Sequence, residues 1–339
     1  MRKTLSYLFV VCFFIISCAK EQQQEVKLYP EIEPYKTDYI QVSELHKLYY
    51  ECCGNPAGKP VFVLHGGPGS GCSPYMRRFF NPEKFNIILH DQRGAKRSKP
   101  FAEIKGNTTW NLVEDIEKLR KKLKLDDIIL FGGSWGTTLA LAYAETYPEN
   151  VAGLVLRGVF LGTRSEIDHF FHGGVRKHFP RIYEDFVKAL PEGNNGRIPA
   201  QLFNLINVED STQKNKYARI WAKYEFQIAS LKVADRSADE WDQLFDSFNP
   251  VAFSLLENYY MKHDCFLEPN QLLDNAGKIG NTRVIIVNGR YDAICPPITA
   301  YKLHQKLPNS RLIIAEESGH WMGEENIEKA LLQAMLEFE

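Results

Sequence analysis

The stretch ILFGGSWGTTLALAYAETYP, residues 129–148, restricts the fold of this 339-residue chain more than any other. Ile128–Phe131 is a short apolar run of the kind that forms a buried strand. Thr138 to Tyr147 carries apolar residues at helical spacing, and Pro148 stops it. Between them Gly132, Ser134 and Gly136 spell G-x-S-x-G, which puts one serine on a sharp strand-to-helix turn flanked by residues without a Cβ.

The same rhythm recurs on both sides. Tyr39–Val42 and Leu48–Cys52 read as a hairpin, and Val61–His65, Asn86–Asp91 and Gly153–Arg157 as strands. Thr108 caps a helix reaching about Leu125, with Leu112, Ile116, Leu119 and Leu123 on one face. From 163 to about 278 the rhythm is lost to aromatic, charged, helical sequence. It returns with Arg283–Asn288, a helix from about Pro297, the strand Arg311–Ala315 and a last helix from Glu324. Strands alternating with helices predict an α/β fold, a mostly parallel sheet with helices on both faces and a helical cap inserted after the sixth strand. The core is expected at 38–161 and 279–339 and the cap at 162–278. Ligands of such sheets bind beyond the carboxyl ends of the strands, so the cap would roof the site.

Three segments supply a hydrolytic constellation. Asp292 follows the strand in RVIIVNGRY, and His320 follows the next one in RLIIAEESG. The order Ser134, Asp292, His320 is that of nucleophile, orienter and base in α/β-hydrolases. An oxyanion hole needs two backbone N–H groups. Trp135, after the nucleophile, supplies one, and Gly67 in HGGPG (65–69) is the candidate for the other.

The first 18 residues have a separate purpose. Arg2 and Lys3 precede the apolar run Leu5–Ser17, too short to span a bilayer, and Ser17-Cys18 ends it like a bacterial lipobox. The expectation is an exported protein carrying lipid on Cys18, on the periplasmic or surface side of a membrane; an ordinary signal peptide containing cysteine is the alternative. Residues 19–37, polar with two prolines, read as a tether. Outside the leader, Cys52, Cys53, Cys72, Cys265 and Cys295 remain, an odd number that leaves at least one free thiol. Their spacing does not suggest zinc. Formal net charge is −1 with scattered Lys and Arg, which argues against a nucleic-acid surface.

The segments LHGGPG, HDQRG, NTTWNLVEDIEKLR, GGSWGTTLAL, LRGVFL, GRYDAICPP and ESGH together resemble the proline iminopeptidases (prolyl aminopeptidases), serine peptidases of the α/β-hydrolase fold. The likeness runs from about Tyr39 to the C-terminus. It implies Ser134 as nucleophile, His320 as general base and acid, Asp292 as orienter, peptide substrates with N-terminal proline, and no cofactor or metal. The family's W-x-x-W-E and E-N-H-Y-F segments, whose glutamates hold the substrate amine, match WAKYE and LLENYY here, giving Glu225 and Glu257. Tyr224 and Tyr259 stand where the family has tryptophan and histidine, and Ala95-Lys96 where it has a small residue and glycine. A related aminopeptidase, amidase or esterase of other specificity, or a surface lipoprotein that binds peptides without cleaving them, are the alternatives. Cys295 lies close enough to Asp292 for thiol reagents to be expected to crowd the site.

Overall fold

The computed structural model describes residues 26–192 and 197–339. Among the described residues eight strands form one sheet: β1 (Lys36–Gln41), β2 (Lys47–Gly54), β3 (Lys59–Leu64), β4 (Phe85–His90), β5 (Ile128–Gly133), β6 (Val151–Arg157), β7 (Val284–Gly289) and β8 (Ser310–Ala315). Their order is β1-β2-β4-β3-β5-β6-β7-β8. β1, β2 and β4 pair antiparallel, and every pairing from β4 onward is parallel.

The strand residues account for this arrangement. In β5, Ile128 and Leu130 enter one apolar cluster while Ile129 and Phe131 enter another on the opposite face. Alternate side chains leave a strand on opposite sides, so a run apolar at every position must be covered twice. One cover contains α2 (Thr109–Leu123), α3 (Trp135–Thr146) and α11 (Pro297–Lys306); the other contains α12 (Glu325–Leu336), with Ile327, Leu331 and Met335 turned inward. Thr108 caps α2 by accepting from the Asn111 N–H, and Lys124, in the left-handed region, closes it. A four-residue helix, α1 (Pro74–Arg77), lies between β3 and β4.

Between β6 and β7 come α4 (Arg164–His172), α5 (Pro180–Lys188), α6 (Ile198–Ile206), α7 (Ser211–Ile228), α8 (Ala238–Ser247), α9 (Pro250–Lys262) and α10 (Gln271–Asp274), with no strand among the described residues. Stacked rings of Phe171 and Trp221 (4.6 Å) and of Phe186 and Tyr224 (4.2 Å) tie α4, α5 and α7 together. Ser254 Oγ donates to the Ala218 carbonyl at 2.8 Å and locks α9 to α7.

Two readings of the sequence need correction. The helix after Ser134 starts at Trp135 rather than Thr138, because the turn closes on Ser134 itself and Gly136 is already helical. Residues 26–35 are not a free tether. Val26, Leu28, Tyr29 and Ile32 pack on the α12 face, and Arg77 and Arg78 hold the Ile32 and Tyr29 carbonyls at 2.8 and 2.9 Å. Four apolar side chains in an otherwise polar segment were enough to dock it. Cys18 and residues 19–25 lie outside the described residues. Among the described residues no helix is long and apolar enough to cross a membrane.

Candidate active site

Ser134 sits between β5 and α3 with φ 57° and ψ −125°, a conformation that a residue with a Cβ rarely adopts. Its backbone is pinned by the Ser134 N–H donating to the Arg157 carbonyl (2.8 Å) and by the Thr137 N–H donating to its own carbonyl (2.8 Å). The turn is tight enough that a Cβ on Gly136 would lie 2.1 Å from the Leu64 carbonyl oxygen, which requires glycine there. This geometry lifts the hydroxyl above the carboxyl end of the sheet.

Asp292 and His320 come to the same place from the loops after β7 and β8. Asp292 is buried. Its Oδ1 accepts from the Ile294 and Cys295 N–H groups at 3.0 and 2.7 Å, and its Oδ2 accepts from His320 Nδ1 at 2.7 Å. That bond places the imidazole proton on Nδ1 and leaves a lone pair on Nε2, the tautomer a general base requires. The backbone of His320 is fixed by the cap: the N–H groups of His320 and Trp321 both donate to the Ala229 carbonyl, at 2.7 and 2.9 Å, just past the end of α7.

Arg157, at the end of β6, was not singled out from the sequence. It is half-buried beside the turn, and its Nη1 donates to both His320 Nε2 (3.2 Å) and the His320 carbonyl (2.9 Å). For Ser134 to hand its proton to Nε2, the imidazole has to exchange Arg157 for Ser134, the kind of tightening that substrate binding produces. The only hint in the sequence was the placing of Arg157 at a strand end, in LRGVFL.

The loop HGGPG crosses over the serine: a Cβ on Gly66 would lie 3.4 Å from Ser134 Cβ. Neither the Gly67 nor the Trp135 N–H donates a hydrogen bond within the described residues, which leaves both free for an oxyanion. A polar relay holds the two segments together. Trp135 Nε1 donates to Gln92 Oε1 at 2.9 Å, Gln92 Nε2 donates to the His65 carbonyl at 2.9 Å, and the Gln92 N–H donates to His65 Nε2 at 3.0 Å. Burial pushes His65 down to about 4, so it is neutral and able to accept. The relay begins at Gln92 of HDQRG. In that motif Lys96 fills the glycine position with φ 41° and anchors itself through Nζ to the Cys72 carbonyl at 2.8 Å.

Helical spacing brings the two glutamates over this centre. On α9, Phe253, Glu257 and Tyr260 share a face. Phe253 reaches the Gly67 turn and the Tyr260 ring meets the Trp135 indole at 4.8 Å, so Glu257 lies between them, above the serine turn. On α7, Glu225 stands one turn before Ala229, which holds His320. The two carboxyls are within reach of a shared proton. Trp221 Nε1 donates to Glu257 Oε2 at 2.7 Å, whereas Glu225 Oε2 is closed off from solvent without a partner among the described residues. Burial pushes Glu225 up to about 7, and burial together with the neighbouring carboxyl pushes Glu257 well above the usual range. Burial and mutual repulsion thus disfavour charge on both carboxyls, and the pair has the chemistry of a site for an organic cation.

All five described cysteines are buried free thiols. Cys52 and Cys53 are packed rather than bonded. Burial pushes the Cys295 thiol well up, which makes it a poor nucleophile despite its N–H bond to Asp292. Tyr224 donates to the Phe170 carbonyl (3.1 Å) inside the aromatic cluster, and Tyr259 packs against Phe203 and Phe266. Among the described residues no three His, Cys, Asp or Glu side chains cluster as a metal site would require.

Comparison with known proteins agrees with this fold. A sequence model of the alpha/beta hydrolase fold matches residues 59–327. A proline iminopeptidase of Arabidopsis thaliana is 43% identical over 91% of this chain and 80% of its own length. A probable proline iminopeptidase of Leptolyngbya boryana is 42% identical over 91% of this chain and 95% of its own. Among solved structures, an esterase from Exiguobacterium antarcticum superposes with a TM-score of 0.61 at 23% identity, covering 89% of this chain and 99% of that one. A proline iminopeptidase-related protein from Thermus thermophilus does so at 0.58 and 20%, covering 89% and 97%. These structures establish the fold, and the sequence relatives narrow it: the chain belongs to the proline iminopeptidase family of α/β-hydrolases.

Proposed function

We propose that the protein is a serine aminopeptidase that releases N-terminal proline from peptides. What supports this beyond kinship is a neighbouring pair of carboxyls, Glu225 and Glu257, on the two helices that touch the centre: α7 ends at the Ala229 carbonyl that holds His320, and Tyr260 of α9 meets the Trp135 indole. An esterase has no use for a desolvated carboxyl pair, whereas a free α-amine needs one. The substrate ammonium displaces the shared proton and lies between Glu225 and Glu257, with the cap aromatics around its ring. His320 takes the Ser134 proton as the hydroxyl attacks the prolyl carbonyl, and the N–H groups of Gly67 and Trp135 receive the oxyanion. His320 then protonates the leaving amine, and water releases proline from the acyl-enzyme.

Rates on prolyl, alanyl and leucyl arylamides, set against N-acetylprolyl arylamide, test the reading. Prolyl should be fastest and the acetylated substrate should fail. Equal rates with a blocked amine would refute the role of the glutamates. A fluorophosphonate probe should label the wild type and not Ser134→Ala.

We further propose that the chain is exported and lipidated at Cys18, on the strength of the Ser17-Cys18 junction behind a short apolar run. The mass of the mature N-terminus tests this. An unmodified chain beginning elsewhere would overturn it.

A further inference from the structure

His320 must deliver its proton to the departing amine, so the rest of the peptide leaves on the side of the His320 loop. A cavity of about 250 Å³ opens there, lined by Phe226, Ala229, Leu244, Trp321, Ala234 and Arg236. Three observations join it to the catalytic centre. Trp321 follows His320 and donates its N–H to the same Ala229 carbonyl. Phe226 follows Glu225 and packs on Phe253 (5.9 Å), which touches the Gly67 turn. Finally, Trp321 is 53% exposed at the cavity, although the histidine before it is buried.

We infer that this cavity is the leaving-side subsite, and that it selects peptides whose second residue is large and apolar; the inference rests on the aminopeptidase reading above. A cavity of about 150 Å³ already holds benzene when lined by apolar side chains, so this one admits a benzyl side chain and part of its backbone. Arg236 is the one charged residue of the described lining. Its guanidinium lies over the Trp241 ring at 5.1 Å, and the nearby Glu240 carboxylate is occupied in capping α8 through Ser237. Arg236 is thus available to the terminal carboxylate of a dipeptide whose side chain fills the cavity. Short peptides with an aromatic or aliphatic second residue are the substrates this end of the site fits.

The test uses Pro-Phe, Pro-Gly, Pro-Phe-amide and prolinamide, the last having no second residue. Wild-type kcat/KM should favour Pro-Phe over Pro-Gly by about tenfold or more. Trp321→Ala should collapse that ratio. Ala234→Trp, made on an exposed loop so that folding is not at stake, should fill the cavity and lower the ratio too. Pro-Phe should exceed Pro-Phe-amide by a few-fold at low salt, and Arg236→Gln should erase the difference. If the wild type cleaves all four with a Pro-Phe to Pro-Gly ratio near one, or if Ala234→Trp leaves the ratio intact, the subsite is refuted. An unaltered acid-to-amide ratio in Arg236→Gln removes the carboxylate contact. If the wild type cleaves none of them, prolinamide included, the aminopeptidase reading itself fails and the subsite falls with it.

Discussion

Replacing Glu225 by glutamine should make the protein more stable and less active at once, and the two effects should part with pH. In the fold this carboxyl titrates at about 7 against an ordinary 4.5, because burial penalises its charge. A raised native value means the native state holds the proton more tightly than the unfolded one. The stabilisation is therefore complete below about 4.5 and is lost as pH rises through 7. Ionising such a group at pH 8 costs at most about 3 kcal/mol of stability, at about 1.4 kcal/mol for each tenfold change in proton affinity. Glutamine is neutral throughout, and it also relieves the repulsion on Glu257. Glu225→Gln should melt with the wild type near pH 4.5 and several degrees above it at pH 8, by calorimetry or circular dichroism. The same change deletes one of the two carboxyls proposed to hold the substrate ammonium. A hydrogen bond to a charged group is worth about 1.5–3 kcal/mol, so kcat/KM on prolyl arylamides at pH 8 should fall by about 10- to 100-fold. In the wild type, KM should fall as pH rises through 7, and the variant should lack that dependence. A variant that melts no higher than the wild type at pH 8, or that keeps its full rate, would refute both the buried pair and its purpose.

Other outcomes follow from the same geometry. Asp292→Asn keeps an oxygen for the Ile294 and Cys295 N–H groups but no longer fixes the His320 tautomer; kcat should fall by about 10³- to 10⁴-fold with little loss of stability. Trp221→Phe keeps the stacking on Phe171 and removes the donor to Glu257, so KM for prolyl substrates should rise about tenfold while fluorophosphonate labelling of Ser134 stays fast. Cys295 should react with iodoacetamide at least about 100-fold more slowly than free cysteine at pH 8, and activity should fall only in step with its labelling. Rapid labelling in the native state would contradict its burial.

The candidate trio was legible because local sequence marks each member. Ser134 stands in a glycine turn that only a strand-to-helix reversal requires, and Asp292 and His320 each follow an apolar strand. The sheet itself was legible for a similar reason: strands apolar at every position, separated by amphipathic helices, admit few arrangements. Glu225 and Glu257 were legible only through resemblance, since a glutamate on a helix is ordinarily solvated. Which face of α7 and α9 turns inward was settled by Phe253 against the Gly67 turn, Tyr260 against Trp135 and Ala229 against His320.

The chain by itself determined the turn at Ser134, the strand ends that carry Asp292 and His320, and the alternation that makes a covered parallel sheet. These rest on periodicity and on backbone conformations that few residues adopt, and both are written in neighbouring residues. Tertiary structure alone decided that Arg157 meets His320 from 163 positions away, that residues 26–35 dock on the α12 side of the sheet, and that Glu225 of α7 meets Glu257 of α9. Such contacts join segments remote in sequence, and their energies depend on burial and distance, which exist only once the sheet has brought the segments together.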